Sequence, residues 1–144
     1  MTISISSDHA GFRYKELIKN YLIKKRLNII DRGTTSEDSV DYPDFIQKSA
    51  KDVAGQKADY GIGVCGSGIG VSISANKIKG VRAALVLNEE MASLSRMHNN
   101  ANFLALSQKF IDESKLFNIV DTWLNTGFEG GRHQRRVDKL EINL

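Results

Sequence analysis

Short β-like runs alternate with helical periods along the whole of this sequence, and that alternation constrains the fold more than any other feature. Thr2–Ser7 sets Ile3 and Ile5 against small polar residues, as a strand does. Phe12–Arg26 follows, with Phe12, Leu17, Ile18, Tyr21 and Leu22 at helical spacing. Leu27–Asp31 reads as a second strand closed by Gly33, and Pro43 opens a helix whose apolar stripe is Phe45, Ile46, Ala50 and Val53. Tyr60–Cys65 is a third strand, Gly66–Gly70 a glycine turn, and Val71–Ile78 a short helix entered from it. Arg82–Leu87 reads as a fully buried apolar strand, Glu89–Met97 as a helix and Asn102–Leu106 as a fifth strand. Ile111–Asn125 carries Leu116, Val120, Trp123 and Leu124 on one helical side, and Arg132–Ile142 reads as a last helix beyond Gly130-Gly131. Strands and helices in this order predict a three-layer, doubly wound, Rossmann-like α/β domain, built on a five-stranded parallel sheet and spanning residues 1–144. Ligands of such folds bind beyond the carboxyl ends of the strands, near the switch in strand order.

Composition narrows the class. A chain of 144 residues suits one domain, and 41% hydrophobic with 26% charged residues can bury a core. The single Cys excludes a disulfide-stapled scaffold and a multi-Cys zinc site. No apolar run approaches the ~20 residues that span a bilayer, and Met1–Phe12 lacks the pattern of a signal peptide. The expectation is a soluble, cytoplasmic protein without a membrane partner. Twenty basic against 17 acidic residues leave +3, too modest an excess to indicate nucleic acid.

Five of the 12 glycines fall within Gly61–Gly70. Gly66, Gly68 and Gly70 permit close approach of a ligand to backbone, and the turn feeds a helix N-terminus that favours an anion, either a phosphate or a transition-state oxyanion. The same turn would also serve packing alone. The spacing fits neither a dinucleotide fingerprint nor a Walker A loop, because Lys77 comes too late for the latter. Cys65, at the carboxyl end of the third strand, would feel the helix dipole as a thiolate able to act as nucleophile or base, or it is a small buried hydrophobe. Ser67 offers a hydroxyl to an oxyanion, or caps a helix. Asp8-His9 lies at the same sheet edge and can manage protons or hold a sugar hydroxyl and an anion; alternatively Asp8 only caps the helix entered near Gly11. His98-Asn99 precedes the fifth strand in a stretch dense in hydrogen-bonding groups. Arg132 and Arg136 share one helix face, either as a bidentate phosphate clamp or as solvated basic surface.

Together these segments resemble the type B ribose-5-phosphate isomerases of the ribose/galactose isomerase family. The resemblance rests on Ser7–Phe12, Asp41-Tyr42-Pro43, Gly61–Gly70, Ser74–Lys77, His98-Asn99, Asn102, Glu129–Gln134 and Arg136, in the family's order and spacing. It implies interconversion of ribose 5-phosphate and ribulose 5-phosphate without metal or organic cofactor, by homodimers or tetramers whose active sites are completed by the partner subunit. It gives Cys65 the role of the base that moves a proton between C1 and C2 through an enediolate. Ser67 and the backbone of Gly66, Gly68, Ile69 and Gly70 would hold the enediolate oxygens. His98 would open the sugar ring with help from Asp8. Tyr42 and Asn99 would contact the sugar, while His9, Arg132 and Arg136 would bind phosphate with help from His133. Ser67 stands where many members carry Thr, and Lys109 where some carry Arg. The rival readings are isomerisation of a six-carbon phosphate such as allose or galactose 6-phosphate, and a non-catalytic sugar-phosphate sensor.

Overall fold

The computed structural model describes residues 1–144. The elements in chain order are β1 (Thr2–Ser7), α1 (Phe12–Lys24), β2 (Asn28–Asp31), α2 (Tyr42–Ala54), β3 (Tyr60–Cys65), α3 (Ile69–Asn76), β4 (Ala83–Leu85), α4 (Glu89–Met97), β5 (Phe103–Ser107), α5 (Glu113–Asn125) and α6 (Arg132–Val137). All four strand pairings are parallel, in the order β2-β1-β3-β5-β4. The chain moves outward from β1 to β2 and then returns to the other side of β1 with β3. The gap between the carboxyl ends of β1 and β3 is therefore the switch point where such sheets bind ligands.

The two sheet faces are covered differently. Ile3, Ile5, Ile62, Val64, Leu104 and Leu106 face α1, α4 and α5, where they pack on Ile18, Leu22, Ala92, Leu116, Val120 and Trp123. The Trp123 indole N–H donates to Ser95 Oγ at 3.1 Å, which lets this large side chain be fully buried. On the other face, α2 and α3 contribute Ile46, Ala50, Val53, Val71 and Ala75 against Phe103, Ala105 and Cys65. Ser4 and Ser6 of β1 also point there. Alternation of Ile and Ser normally signals one wet face, yet both serines are fully buried. Ser4 Oγ donates to Asp52 Oδ2 at 2.7 Å and Ser6 Oγ lies 2.5 Å from Ser49 Oγ, so polar partners on α2 replace water. Gly61 has no room for a side chain, since a Cβ would lie 2.3 Å from the Phe103 ring.

Several boundaries differ from the sequence reading. α1 stops at Lys24 rather than Arg26 because the chain turns through a Schellman motif. Arg26 takes φ 64°, its N–H donates to Ile23 O, and the Leu27 N–H reaches back to Leu22 O. α3 begins at Ile69, so Ile69 and Gly70 belong to the helix rather than to the turn, and Gly68 with φ 78° is its N-cap. α6 ends at Val137, not Ile142. Leu140, Ile142 and Leu144 are exposed, and a helix this short does not persist without packing.

β4 is also not the fully buried strand expected over Arg82–Leu87. It spans three half-buried residues at the sheet's edge, beside β5 only. On its open side the Asn76 side chain takes the place of a neighbouring strand. Asn76 Nδ2 donates to Ala83 O at 3.0 Å, and the Ala83 N–H donates to Asn76 Oδ1 at 2.8 Å.

Candidate active site

At the carboxyl edge of the sheet, the loops after β1 and β3 meet. A Cβ on Gly11 would lie 2.3 Å from Val64 O, so the two loops approach as closely as backbone allows. Asp8 is buried; its N–H donates to Val64 O at 3.3 Å and its Oδ1 accepts the Gly11 N–H at 3.0 Å. Asp8 does not cap α1, whose N-cap is Gly11 with no side-chain cap; its carboxylate instead closes the turn before the helix, which occupies one oxygen. His9 Nδ1 accepts the Val40 N–H at 3.1 Å. In a neutral imidazole that acceptor role places the proton on Nε2, leaving a donor free for an anion.

Cys65 ends β3 and is buried, with Sγ accepting the Gly68 N–H at 3.1 Å. The Gly68 N–H thus holds the sulfur in place at the N-terminus of α3. Ser67 Oγ accepts the Ile69 N–H at 3.2 Å, which fixes the hydroxyl at the mouth of the loop. The N–H groups of Gly66, Ser67 and Gly70 have no acceptor within the protein. These are the orphan donors that an oxyanion would use. Tyr42, first residue of α2, lies over Gly70, where a Cβ would sit 2.8 Å from its ring. Lys109 follows β5 at this edge; its N–H donates to Gly66 O at 2.9 Å and its side chain is exposed. Asp8, His9, Tyr42, Cys65, Ser67 and the backbone of Gly66, Gly68, Ile69 and Gly70 therefore form one cluster.

The other expected residues lie elsewhere. His98 caps the C-terminus of α4 and Asn99 follows it, ahead of β5, at the amino edge. The His98 ring stacks on that of His133 in α6, with centroids 4.2 Å apart and planes at 11°. The Glu129 N–H donates to Met97 O, and Glu129 Oε2 lies 3.9 Å from His98 Nε2 and 3.6 Å from His133 Nε2. Arg132 and Arg136 project from α6 as exposed side chains, and Arg136 joins His98, Asn99 and His133 in lining a cavity of about 260 Å³. Burial, then the neighbouring His98 and Arg132, hold the His133 imidazole below its usual 6.5, although Glu129 pulls the other way.

Strand register fixes the distance between the two groups. Gly61 pairs with Phe103 at the start of β3 and Cys65 pairs with Ser107 at its end. Those four steps amount to roughly 13 Å of strand. The structure does not bring His98, Asn99, Arg132, His133 and Arg136 of one chain to its own Cys65. Glu129 had no individual role in the sequence reading. Its signal is its place just before the Gly130-Gly131 turn that brings the chain back into α6, four residues ahead of His133.

Comparisons with known proteins give the chain's family. The model of the Ribose/Galactose Isomerase family matches residues 3–140. The chain belongs to this family. Among ribose/galactose isomerase relatives, it is 48% identical over 140 residues to the probable ribose-5-phosphate isomerase B of Mycoplasma genitalium, covering 96% of this chain and 92% of the relative. It is 41% identical over 138 residues to ribose-5-phosphate isomerase B of Escherichia coli, covering 96% and 93%. Among solved structures, ribose-5-phosphate isomerase B of Clostridium thermocellum superposes with a TM-score of 0.96 at 48% identity, covering 97% of this chain and 95% of that one. The Mycoplasma genitalium enzyme, solved with ribulose 5-phosphate bound, gives 0.93 at 47% identity, covering 96% and 93%.

Proposed function

We propose that this chain, as one domain over residues 1–144, interconverts D-ribose 5-phosphate and D-ribulose 5-phosphate in the cytoplasm, in the non-oxidative branch of the pentose phosphate pathway. The observation that carries the reading is the buried Cys65 thiol at the switch point, held by the Gly68 N–H beside three unpaired backbone N–H groups. Aldose–ketose isomerisation needs a base for a weakly acidic C–H and fixed donors for the oxygen that gains charge. The Cys65 thiolate takes the proton from C2 of the open aldose, the electron pair moves through C1 onto the carbonyl oxygen to form the enediolate, the C2 hydroxyl proton passes to that oxygen, and the thiol returns its proton to C1 as the C2 carbonyl forms. No external oxidant or reductant enters the balance. Ser67 and the N–H groups of Gly66 and Gly70 meet the enediolate oxygens, and Ile69 and Gly68 set the loop's shape.

Ring opening falls to His98 as acid and base, with Asp8 at the ring oxygen or hydroxyls. Tyr42 and Asn99 contact the sugar. His9, Arg132 and Arg136 take the phosphate, with His133 alongside. Since His98 and the arginines lie at the opposite sheet edge from Cys65, the reading requires a second copy. The amino edge of one protomer would complete the carboxyl edge of another, in a homodimer or tetramer. α3 supports this, because Ile69 and Ile73 are more than half exposed on a helix whose other face, Val71 and Ala75, is core. Partners are thus the sugar phosphate and another copy, not nucleic acid. No helix is long and apolar enough to cross a membrane.

The test is turnover of ribose 5-phosphate by purified protein in the presence of a chelator. Cys65→Ala is expected to lose about 10²–10⁴-fold in turnover while still binding the sugar phosphate. Near-normal turnover by that variant would remove the thiol from the reaction.

A further inference from the structure

We propose that the imidazoles of His98 and His133 and the carboxylate of Glu129 form an inhibitory site for a divalent transition-metal ion of the zinc class. Three ligand atoms, one from each residue, lie within 4.8 Å of one another. The carboxylate oxygen is 3.9 Å from one Nε2 and 3.6 Å from the other, too far for hydrogen bonds to either ring. The three groups converge without bonding to each other. An ion with bonds of about 2.0–2.2 Å needs its ligands roughly 3.3–3.6 Å apart, so the widest pair must close by up to about 1.5 Å.

A second observation points to the same place. His133 is buried, and its Nε2 has no hydrogen-bond partner. Buried polar nitrogens are almost always partnered, and this one lies 3.6 Å from the Glu129 carboxylate. Two imidazoles and one carboxylate also match the donor set of three-ligand zinc sites that keep an open position, and they suit magnesium or calcium poorly.

The local structure decides what must move. His133 is anchored in α6, and Glu129 is tied by its N–H to Met97 O. The rings are nearly parallel, so both lone pairs cannot meet one ion until a ring turns out of the stack. His98 is the ring that turns, because its side chain is 37% exposed at a helix end. Arg132 and Arg136 on the same helix oppose a cation, which keeps the site weak and reversible. An ion that engages His98 removes the lone pair assigned to ring opening, and it therefore inhibits. The inhibitory consequence rests on the proposed isomerase reading; the binding does not.

The experiment separates the two. Cys65→Ala protein, which has no thiol to compete, is titrated with Co²⁺ and followed by its visible ligand-field absorption, with Zn²⁺ as competitor. One equivalent per chain is expected, with affinity lowered about tenfold or more by adding Glu129→Gln and lost on adding His133→Asn. No absorption change, or affinity indifferent to the exposed Glu129→Gln, overturns the site. In the unaltered protein, Zn²⁺ is expected to inhibit ribose 5-phosphate turnover, EDTA to restore it, and Glu129→Gln to shift half-inhibition to higher Zn²⁺ by a similar factor. Unchanged inhibition in that variant overturns the inhibitory role. If the chain turns over no sugar phosphate, the cobalt titration still decides the binding.

Discussion

The two edges of the sheet hold different kinds of chemistry. The carboxyl edge is made largely of backbone: N–H groups of a glycine turn, one thiol, and loops packed so tightly that Gly11 touches the Val64 carbonyl. The amino edge is made of long side chains on helix ends, with His98 on α4 and His133, Arg132 and Arg136 on α6. Backbone fixed by strand register suits an oxyanion that must be met without reorganisation. Side chains at helix ends can shift to admit and release a charged group. A site that joins the two, one from each copy, would combine a rigid reaction centre with an adjustable clamp.

Mixing inactive variants is the sharpest way to break that comparison. Cys65→Ala and His98→Asn each disable one edge. Co-refolded in equal amounts, they should recover about a quarter of normal turnover, because half the dimers are mixed and each mixed dimer has one intact site of two. If both edges served a site within one chain, mixing would recover nothing. A smaller effect contrasts the packing of the edges. Gly11→Ala forces a Cβ into backbone and should destabilise the fold by about 1–3 kcal/mol in denaturant unfolding. The same change at Gly127, on the loop leading to Glu129, meets nothing within 4 Å and should stay within about 0.5 kcal/mol.

The smallest expected effect is on pH dependence, and it belongs to the carboxylates that tie helices to the sheet. Burial raises the Asp31 carboxyl, but hydrogen bonds from the fully buried Lys15, the Gly33 N–H and Lys19 outweigh it and hold the group below its usual 3.8. The Arg32 guanidinium, then the Ser4 hydroxyl, hold Asp52 down despite its burial. Both groups titrate lower in the folded chain, so the unfolded chain takes up protons first as pH falls. The melting temperature should be level above the ordinary carboxylate range and drop as pH falls below about 4. Asp31→Asn together with Asp52→Asn should flatten that drop, and an unchanged slope would assign it to other groups.

Most of the fold was legible because strands and helices alternate with distinct periods, and β1, β3 and α4 match their expected limits residue for residue. What failed depended on long-range neighbours. Arg82–Leu87 is apolar, but whether a strand is central or peripheral is set by sheet order, which local pattern does not carry. The burial of Ser4 and Ser6 rests on partners, Asp52 and Ser49, that lie more than 40 residues away. The Cys65 loop could be read locally because its chemistry is contiguous in sequence. The separation of His98 from Cys65 follows from the same pattern, since one precedes a parallel strand and the other ends one; how the edges of two copies would meet does not, because no local pattern carries it.

Asn76 carries a consequence for how this molecule meets its copies. An edge strand with free N–H and C=O groups is a template on which any other strand can add, and sheets left open in this way tend to grow into aggregates. Here a single amide closes the outer margin of β4 by occupying both groups of Ala83. Strand addition is impeded at Ala83, the start of that side, which favours helical faces and loops as the surfaces through which copies can pair. A three-residue strand thus ends the sheet through the side chain of the helix that precedes it.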